Sequence, residues 1–524
     1  MVPSVNNQLI ESLRRAAAYP HAVASVRVIE THVSWVFLTG DYVYKVKKPV
    51  DFGFLDFSTL AKRRHYCEEE LRLNRRFAPD LYLAVVAITG TPDAPVIGGV
   101  GEVLDYAVKM REFPQRSLWQ NCMDRGEVSE RQIDELAARL AAFHQDATVA
   151  AEGAGTPVYG SLKAVTQAAL ENFEHIGPLL ENRGQLRQLS HLQGWTQGQL
   201  ARLDANFSKR QADGFIRECH GDLHLGNIAI IDGEITLFDC LEFNDQLRWI
   251  DTMAELGFLL MDLEDKGRTA WASRLLNIYM EFSGDYRGLQ VLPFYKVYRA
   301  LVRAKVAILR LAQADTTAAE KETVLSAYSH YMTLAEGYTR PPAPFLAITH
   351  GVAGTGKSTV AAAVAAATGA IRIRSDVERK RLFGLRPQQD SSAVAGIDIY
   401  SREATAKTFD RLAQLACRLL EMGQAVIVDA TFLDRDRRRR FKQLAEVNRV
   451  SFAIVDCVAN PDTLAARLEA RARLPESVSE AGIEVMHAQQ RNQTPLADEE
   501  QSATITVNTE QPLNLASIAA RLAG

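Results

Sequence analysis

His220-Gly221-Asp222-Leu223-His224-Leu225-Gly226-Asn227 places a carboxylate and a carboxamide five residues apart inside an HGDxHxxN pattern. At average residue frequencies the pattern would arise by chance in a chain this long with a probability on the order of 10⁻⁵ to 10⁻⁴. The spacing of Asp222 and Asn227 suits a base and a metal ligand at a phosphoryl-transfer site. Beyond the hairpin-like run Ile228 to Ile231 and Asp232-Gly233, the apolar run Ile235 to Phe238 ends in Asp239, a further carboxylate suited to Mg²⁺. His220 and His224 have no third His or Cys at ligand spacing nearby, so bracing the loop is expected of them rather than holding metal.

A second constellation begins at Gly351. Gly351-Val-Ala-Gly354-Thr-Gly356-Lys357-Ser358 fits GxxxxGK[ST] in every fixed position and lies between an apolar run and a helical pattern, with Thr359 next in line. Glycines let backbone N–H groups curl around phosphates, Lys357 reaches the terminal phosphates and Ser358 ligates Mg²⁺. Ile371 to Arg374 reads as a strand ending at Ser375-Asp376-Val377-Glu378-Arg379. That edge of a parallel sheet is where ligands bind, so Asp376 suits an acceptor-side base and Arg379 an acceptor clamp. The plainer alternative is an N-cap aspartate with a surface arginine. Val426-Ile427-Val428-Asp429 ends in an acid placed to hold Mg²⁺, and in the run ending at Arg473 the residues Arg467 and Arg471 share a helix face suited to a lid over the transferring phosphate, with a solvated basic face as the even alternative.

The elements that must position these groups differ along the chain. Val33 to Leu38 and Tyr42 to Val46 form a hairpin signature through Thr39-Gly40-Asp41, followed by a charged helix from about Thr59 to Phe77 and a strand near Leu81 to Ile88. Residues 130 to 209 read as helical, as does Phe294 to Ala314. Prolines at 341, 342 and 344 end that pattern, and short apolar runs alternating with helices follow, which implies crossovers and a mostly parallel sheet.

Composition bounds the function. With 60 Lys and Arg against 64 Asp and Glu, the net charge of -4 argues against a general polyanion binder, so nucleic acid is not an expected partner. The run Arg435-Asp436-Arg437-Arg438-Arg439-Arg440 is accordingly expected to be a solvated helix face, with a site for a nucleic-acid or phosphorylated acceptor as the lesser alternative. No apolar run is long enough for a membrane span, the first twenty residues lack signal-peptide pattern, and the six cysteines form no CxxC pair. A soluble cytoplasmic protein is expected.

Residues 345 to 524 resemble the P-loop kinase group that includes gluconate kinases, the 5′-kinase part of polynucleotide kinases and zeta-toxin-type kinases, through Gly351 to Ser358, Asp376 with Arg379, Asp429-Ala430-Thr431 and Arg471. The resemblance implies that Asp376 is the acceptor-side base and Arg471 a charge stabiliser. His220 to Asn227 with Asp239 resembles the aminoglycoside phosphotransferase and choline kinase branch of the protein-kinase-like fold. By that resemblance Asp222 is the catalytic base, Asn227 and Asp239 bind Mg²⁺, and Asp251 fastens the loop. A phosphate-gripping lysine is then implied on an N-terminal strand. Lys45 is preferred and Lys47 second, with a partner among Glu68, Glu69 and Glu70, Glu70 favoured. No glycine-rich GxGxxG loop precedes Lys45.

The expected architecture is therefore multidomain, α/β and α+β. A bilobal kinase-like fold has its N-lobe at 1–112 and a helical C-lobe at 113–338, a Pro-rich linker spans 339–344, and a parallel-sheet P-loop NTPase fold occupies 345–524. The implied function is a tandem ATP- and Mg²⁺-dependent kinase acting on hydroxyls of small-molecule acceptors such as sugars or amino alcohols. The alternatives are that one module is a nucleotide-binding regulator, or that the C-terminal domain phosphorylates a nucleotide or nucleic-acid end.

Overall fold

Gly40 takes φ +101°, a conformation open to glycine, and turns the chain between two strands of an antiparallel sheet. The computed structural model describes residues 5–53, 55–150, 158–312, 317–389, 399–472 and 482–522. The sheet contains β1 (Arg27–Glu30), β2 (Ser34–Leu38), β3 (Tyr42–Lys47), β4 (Tyr82–Thr91), β5 (Ala94–Ile97) and β6 (Val103–Arg111), in the order β1-β2-β3-β6-β4-β5. Alternation along β3 decides what each face carries. Tyr44 and Val46 enter a core with Phe37, Ile88, Leu9 and Leu13, while Val43 enters another with Cys67, Tyr82 and Val108. Lys45 and Lys47 therefore sit on the Val43 face, toward the helix Leu60–Asn74 that carries Cys67.

That helix starts where Thr59 accepts a hydrogen bond from the Lys62 N–H. Its inward residues Arg63, Cys67, Glu70 and Asn74 recur at helical spacing, and three of the four are polar. Arg63 is satisfied by Asp105 on β6 at 2.9 Å and by the Phe57 carbonyl at 3.1 Å. Further along lie β7 (Ile216–Glu218), β8 (Ile228–Ile231), β9 (Glu234–Leu237) and β10 (Trp249–Asp251), paired antiparallel as β8 with β9 and β7 with β10.

The C-terminal sheet comprises β11 (Phe345–His350), β12 (Ile371–Arg374), β13 (Val426–Asp429), β14 (Ser451–Val458) and β15 (Thr504–Asn508), ordered β12-β13-β11-β14-β15. Every pairing is parallel, as the alternation of strands and helices requires. The helices Lys357–Thr368 and Leu515–Leu522 cover one face through Val360, Val364, Ile518 and Leu522.

Contact density divides the chain into two compact units. One comprises 1–132, 147–168 and 207–262, and the other comprises 133–146, 169–206 and 263–524. The helices after residue 262 thus group with the parallel sheet, although the prolines at 341 to 344 interrupt the chain between them. The strands β1, β5, β6, β7, β10 and β15 were not anticipated; β6 carries Asp105 and Lys109 among its apolar residues. No helix among the described residues is long and apolar enough to cross a membrane.

The basic run opens the helix Arg435–Asn448, capped by Asp434, and one of its arginines corrects the expectation of a solvated face. Arg438 has no side-chain exposure. It donates to Glu500 at 2.8 and 2.9 Å and to the carbonyls of Phe432, Thr494 and Pro495. Arg439 and Arg440 remain exposed. Replacing Arg438 by Met strands Glu500 and three carbonyls, so a loss of about 3–5 kcal/mol is expected, read as a lower denaturant midpoint. Arg439→Met is expected to change it by less than about 0.5 kcal/mol.

Candidate active sites

In the N-terminal unit the two lysines of β3 converge on one carboxylate. Lys45 Nζ lies 2.9 Å from Glu70 Oε1 and 2.6 Å from Asp239 Oδ1, while Lys47 Nζ lies 2.7 Å from Glu70 Oε2 and also binds Glu242. Lys47 is sealed from solvent, whereas Lys45 keeps 14% of its side chain exposed and Asp239 44%. Glu68 and Glu69 turn elsewhere, to Arg64 and to Arg72 with Arg248. Burial opposes charge on Lys45, but Asp239 and Glu70 outweigh it and hold the amine well above its usual pKa. Burial likewise works against the Glu70 carboxylate, and the two ammonium groups overcome it, bringing its pKa down to about 2. The Glu242 carboxyl is raised, by burial first and by the neighbouring Glu70 carboxylate, against the pull of Lys47 and Lys45.

Asp222 stands in a loop fastened at several points. The Gly221 N–H donates to Glu255 at 2.8 Å and the Leu225 N–H to Asp262 at 2.8 Å. Gly221 has φ +89°, and a Cβ there would come within 3.1 Å of Arg248, Leu241 and the Leu247 carbonyl. His220 Nδ1 accepts from the Asp222 N–H at 3.4 Å and its Nε2 lies 2.9 Å from the Phe238 carbonyl, an arrangement suited to a neutral ring donating from Nε2. Burial lowers its pKa in the same sense. Asn227 Nδ2 donates to the Asp222 carbonyl at 2.9 Å, and its contact with Oδ2 is 3.4 Å. His224 Nδ1 accepts from the Gly226 N–H, with Nε2 3.6 Å from Asp222 Oδ2. Asp239 has φ +64° and its N–H donates to the Tyr82 hydroxyl, while the next N–H, of Cys240, donates to Asn74 on the Glu70 helix. Asp251 forms a two-point pair with Arg210 at 2.6 and 2.7 Å. Glu255 and Asp262, which accept from loop N–H groups, were not singled out from sequence.

The phosphate-loop sequence in the second unit runs from the end of β11 into the helix Lys357–Thr368. Gly351, Gly354 and Gly356 have φ of +130°, +88° and +84°. A Cβ on Gly351 would lie 2.7 Å from the Cys457 carbonyl, and one on Gly354 3.1 Å from that of Leu464, so the loop has no room for larger residues at either place. Lys357 Nζ donates to the Val352 carbonyl at 2.7 Å. Ser358 and Thr359 are exposed at the helix start. Asp429 ends β13, 5% exposed, and its Oδ2 is buried without a hydrogen-bond partner. Arg374 Nε lies 3.8 Å from that oxygen.

Asp376 sits in the first turn of the helix Ser375–Leu382, half-buried beside Arg374. Arg379, from the same helix, is buried. Its guanidinium donates to the Ile399 carbonyl at 2.7 Å and to Thr405 at 3.2 Å, and lies over Tyr400. In this structure it braces the following segment. Arg467, on the helix Pro461–Ala472, reaches the Gly354 carbonyl and holds Thr509 at 2.8 Å. The backbone of Arg471 belongs to that helix, but its side chain lies outside the described residues, as does Arg473. Gln489, unsuspected from sequence, accepts from the Ala353 N–H of the loop at 2.8 Å.

Residues 40–292 match the model of the phosphotransferase enzyme family, and 346–496 match that of an AAA domain. Over 451 residues the chain is 32% identical to uncharacterized proteins of Mycobacterium tuberculosis and Mycobacterium bovis, covering 85% of this chain and 86% of each relative. The chain belongs to one family with these mycobacterial proteins. Its two matched segments make it an ATP-dependent kinase that pairs a phosphotransferase-family part with a P-loop part. Solved structures similar to it include a choline/ethanolamine kinase family protein from Mesorhizobium loti (13% identity, 63% of this chain and 98% of that one, TM-score 0.39) and a gluconokinase from Sinorhizobium meliloti (21%, 34% and 90%, TM-score 0.24).

The kinase's two neighbouring lysines differ in what they hold. Lys47→Met leaves Glu70 and Glu242 buried without their shared cation, and a loss of about 3–5 kcal/mol is expected, read from the denaturant midpoint. Lys45→Met is expected to cost less, because Glu70 keeps Lys47 and Asp239 is nearly half exposed.

Proposed function

We propose that both parts transfer the γ-phosphoryl group of ATP to a hydroxyl of a small-molecule acceptor, a sugar or amino alcohol being the chemistry considered. The single observation that carries the reading is the convergence of Lys45, Glu70 and Asp239, residues separated by up to 194 positions in sequence, in the unit that holds the Asp222 loop. Lys45, held in place by Glu70, presents an ammonium group to the phosphates. Asp222 orients the acceptor hydroxyl and takes its proton, with two-fifths of its side chain open to an incoming molecule. Asn227 donates through Nδ2 to Asp222, which leaves its Oδ1 available as a ligand.

The donor sets fit Mg²⁺ in both parts. Asn227 and Asp239 supply hard oxygens in one, and Ser358 and the orphaned Oδ2 of Asp429 supply them in the other. When bound, the ion neutralises charge on the transferring phosphate. In the P-loop part, Lys357 grips the phosphates and Asp376 serves as the acceptor-side base, with Arg471 in the lid as charge stabiliser. A nucleic-acid acceptor loses support because Arg438, central to the basic run, is consumed inside the fold.

Asp222→Asn and Lys357→Ala, measured separately for acceptor-dependent ATP turnover over a panel of sugars, amino alcohols and nucleosides, are each expected to lower a different activity by about 10²- to 10⁴-fold. A part whose variant leaves every activity intact is not a catalyst. Labelled 5′-hydroxyl oligonucleotides are expected to stay unmodified.

A further inference from the structure

The helix Thr269–Ser283 lies outside the matched P-loop segment but inside the same compact unit, and it carries three polar side chains four residues apart. Ser273, Asn277 and Glu281 are 9%, 4% and 2% exposed, so one helix face is at once polar and buried. Such a face is stable only if each group finds a partner. Ser273 Oγ donates to the Ala365 carbonyl at 2.9 Å. Asn277 Nδ2 donates to the Ala370 carbonyl at 3.1 Å and its Oδ1 accepts from the Arg372 N–H at 2.6 Å. Because β12 is the edge strand of the parallel sheet, Asn277 supplies backbone partners at the edge where no neighbouring strand lies. Two docking points thereby fix the helix against β12 and leave little freedom one turn further on, at Glu281.

Glu281 uses both oxygens. Oε1 accepts from Arg372 at 2.6 Å and Oε2 from Arg374 at 2.9 Å. The two arginines are two residues apart on β12 and so share a face. Arg374 ends that strand, with Asp429 opposite it in register on β13. Its Nε stops 3.8 Å from Asp429 Oδ2, too far for a hydrogen bond, and that oxygen has no other partner. A guanidinium this close to a buried carboxylate would ordinarily complete a short two-point pair with it. The opposing pull of Glu281 is what the geometry supplies against that closure.

Resting on the reading of Asp429 as a metal ligand, we propose that Glu281 is a positioning residue for the P-loop site. By holding Arg374 back, it keeps the Asp429 carboxylate open to Mg²⁺. The phosphate-binding part thus depends on a carboxylate from the helical region that precedes it in the chain.

The test uses the full chain with Lys45→Met and Asp239→Asn, which silence the N-terminal site, and follows binding of a fluorescent ATP analogue as Mg²⁺ is titrated. Adding Glu281→Gln frees Arg374 to close on Asp429. The Mg²⁺ midpoint is expected to rise about 10-fold, while affinity without Mg²⁺ changes by less than about 2-fold. Adding Arg374→Gln as well removes the competing cation, and the midpoint is expected to return to within about 3-fold of its starting value; a merely structural contact would be damaged further by this second change. If Glu281→Gln does not fold, Glu281→Asp, one methylene shorter, carries the test with a smaller shift in the same direction. An unchanged midpoint, or failure of Arg374→Gln to restore it, overturns the inference. If Lys357→Ala abolishes the binding signal, the P-loop reading survives such a failure; binding that persists in Lys357→Ala overturns both.

Discussion

Glu70 is a fully buried carboxylate shared by two ammonium groups, and the N-terminal site is built outward from it. A single charge in that interior would be driven to neutrality, but two lysines on one face of β3 keep it ionised. The sharing also separates their work. Lys47, closed off by Glu242, neutralises the interior. Lys45, tied on its outer side to the half-exposed Asp239, keeps part of its side chain open to solvent. The same helix fixes the segment after Asp239 through Asn74, so the lysine strand, the Glu70 helix and the Asp239 segment are locked by adjacent contacts.

The second unit solves a different problem, that of leaving polar groups open. Its loop glycines adopt left-handed conformations against the backbone carbonyls of Cys457 and Leu464, so the curl of the loop is set by neighbours as much as by the motif. Lys357, Ala353 and Gly354 are engaged by Val352, Gln489 and Arg467, contacts that satisfy the loop's polar groups. Asp429 is the contrast, a buried oxygen held at a strand end without a hydrogen-bond partner.

The arginines show why charge patterns alone mislead. Arg438 and Arg439 are neighbours in one run of sequence, yet one holds Glu500 in the interior and the other is in solvent. Arg372 and Arg374 look like ordinary surface residues of an edge strand until Glu281, some ninety residues earlier, is brought against them. A guanidinium is equally at home in water and in a satisfied buried network, so its type carries no information about which it occupies.

The motifs that carry chemistry were legible in the sequence because their requirements are local. A loop that curls around phosphate needs glycines at fixed offsets, and an acid at the end of an apolar strand follows from the periodicity of that strand. The same locality gave the β2–β3 hairpin, the Glu70 helix and the parallel character of the second sheet. Sequence left Lys45 and Lys47 as alternatives on one face, and geometry shows both bound to Glu70 with different exposure. It gave no hint of Glu242, Glu255, Asp262, Gln489 or Glu281, nor of helices 263–338 grouping with the P-loop sheet. Those pairings join residues dozens to hundreds of positions apart, and an isolated Glu or Gln is compatible with any surface; only the closed chain selects its partner.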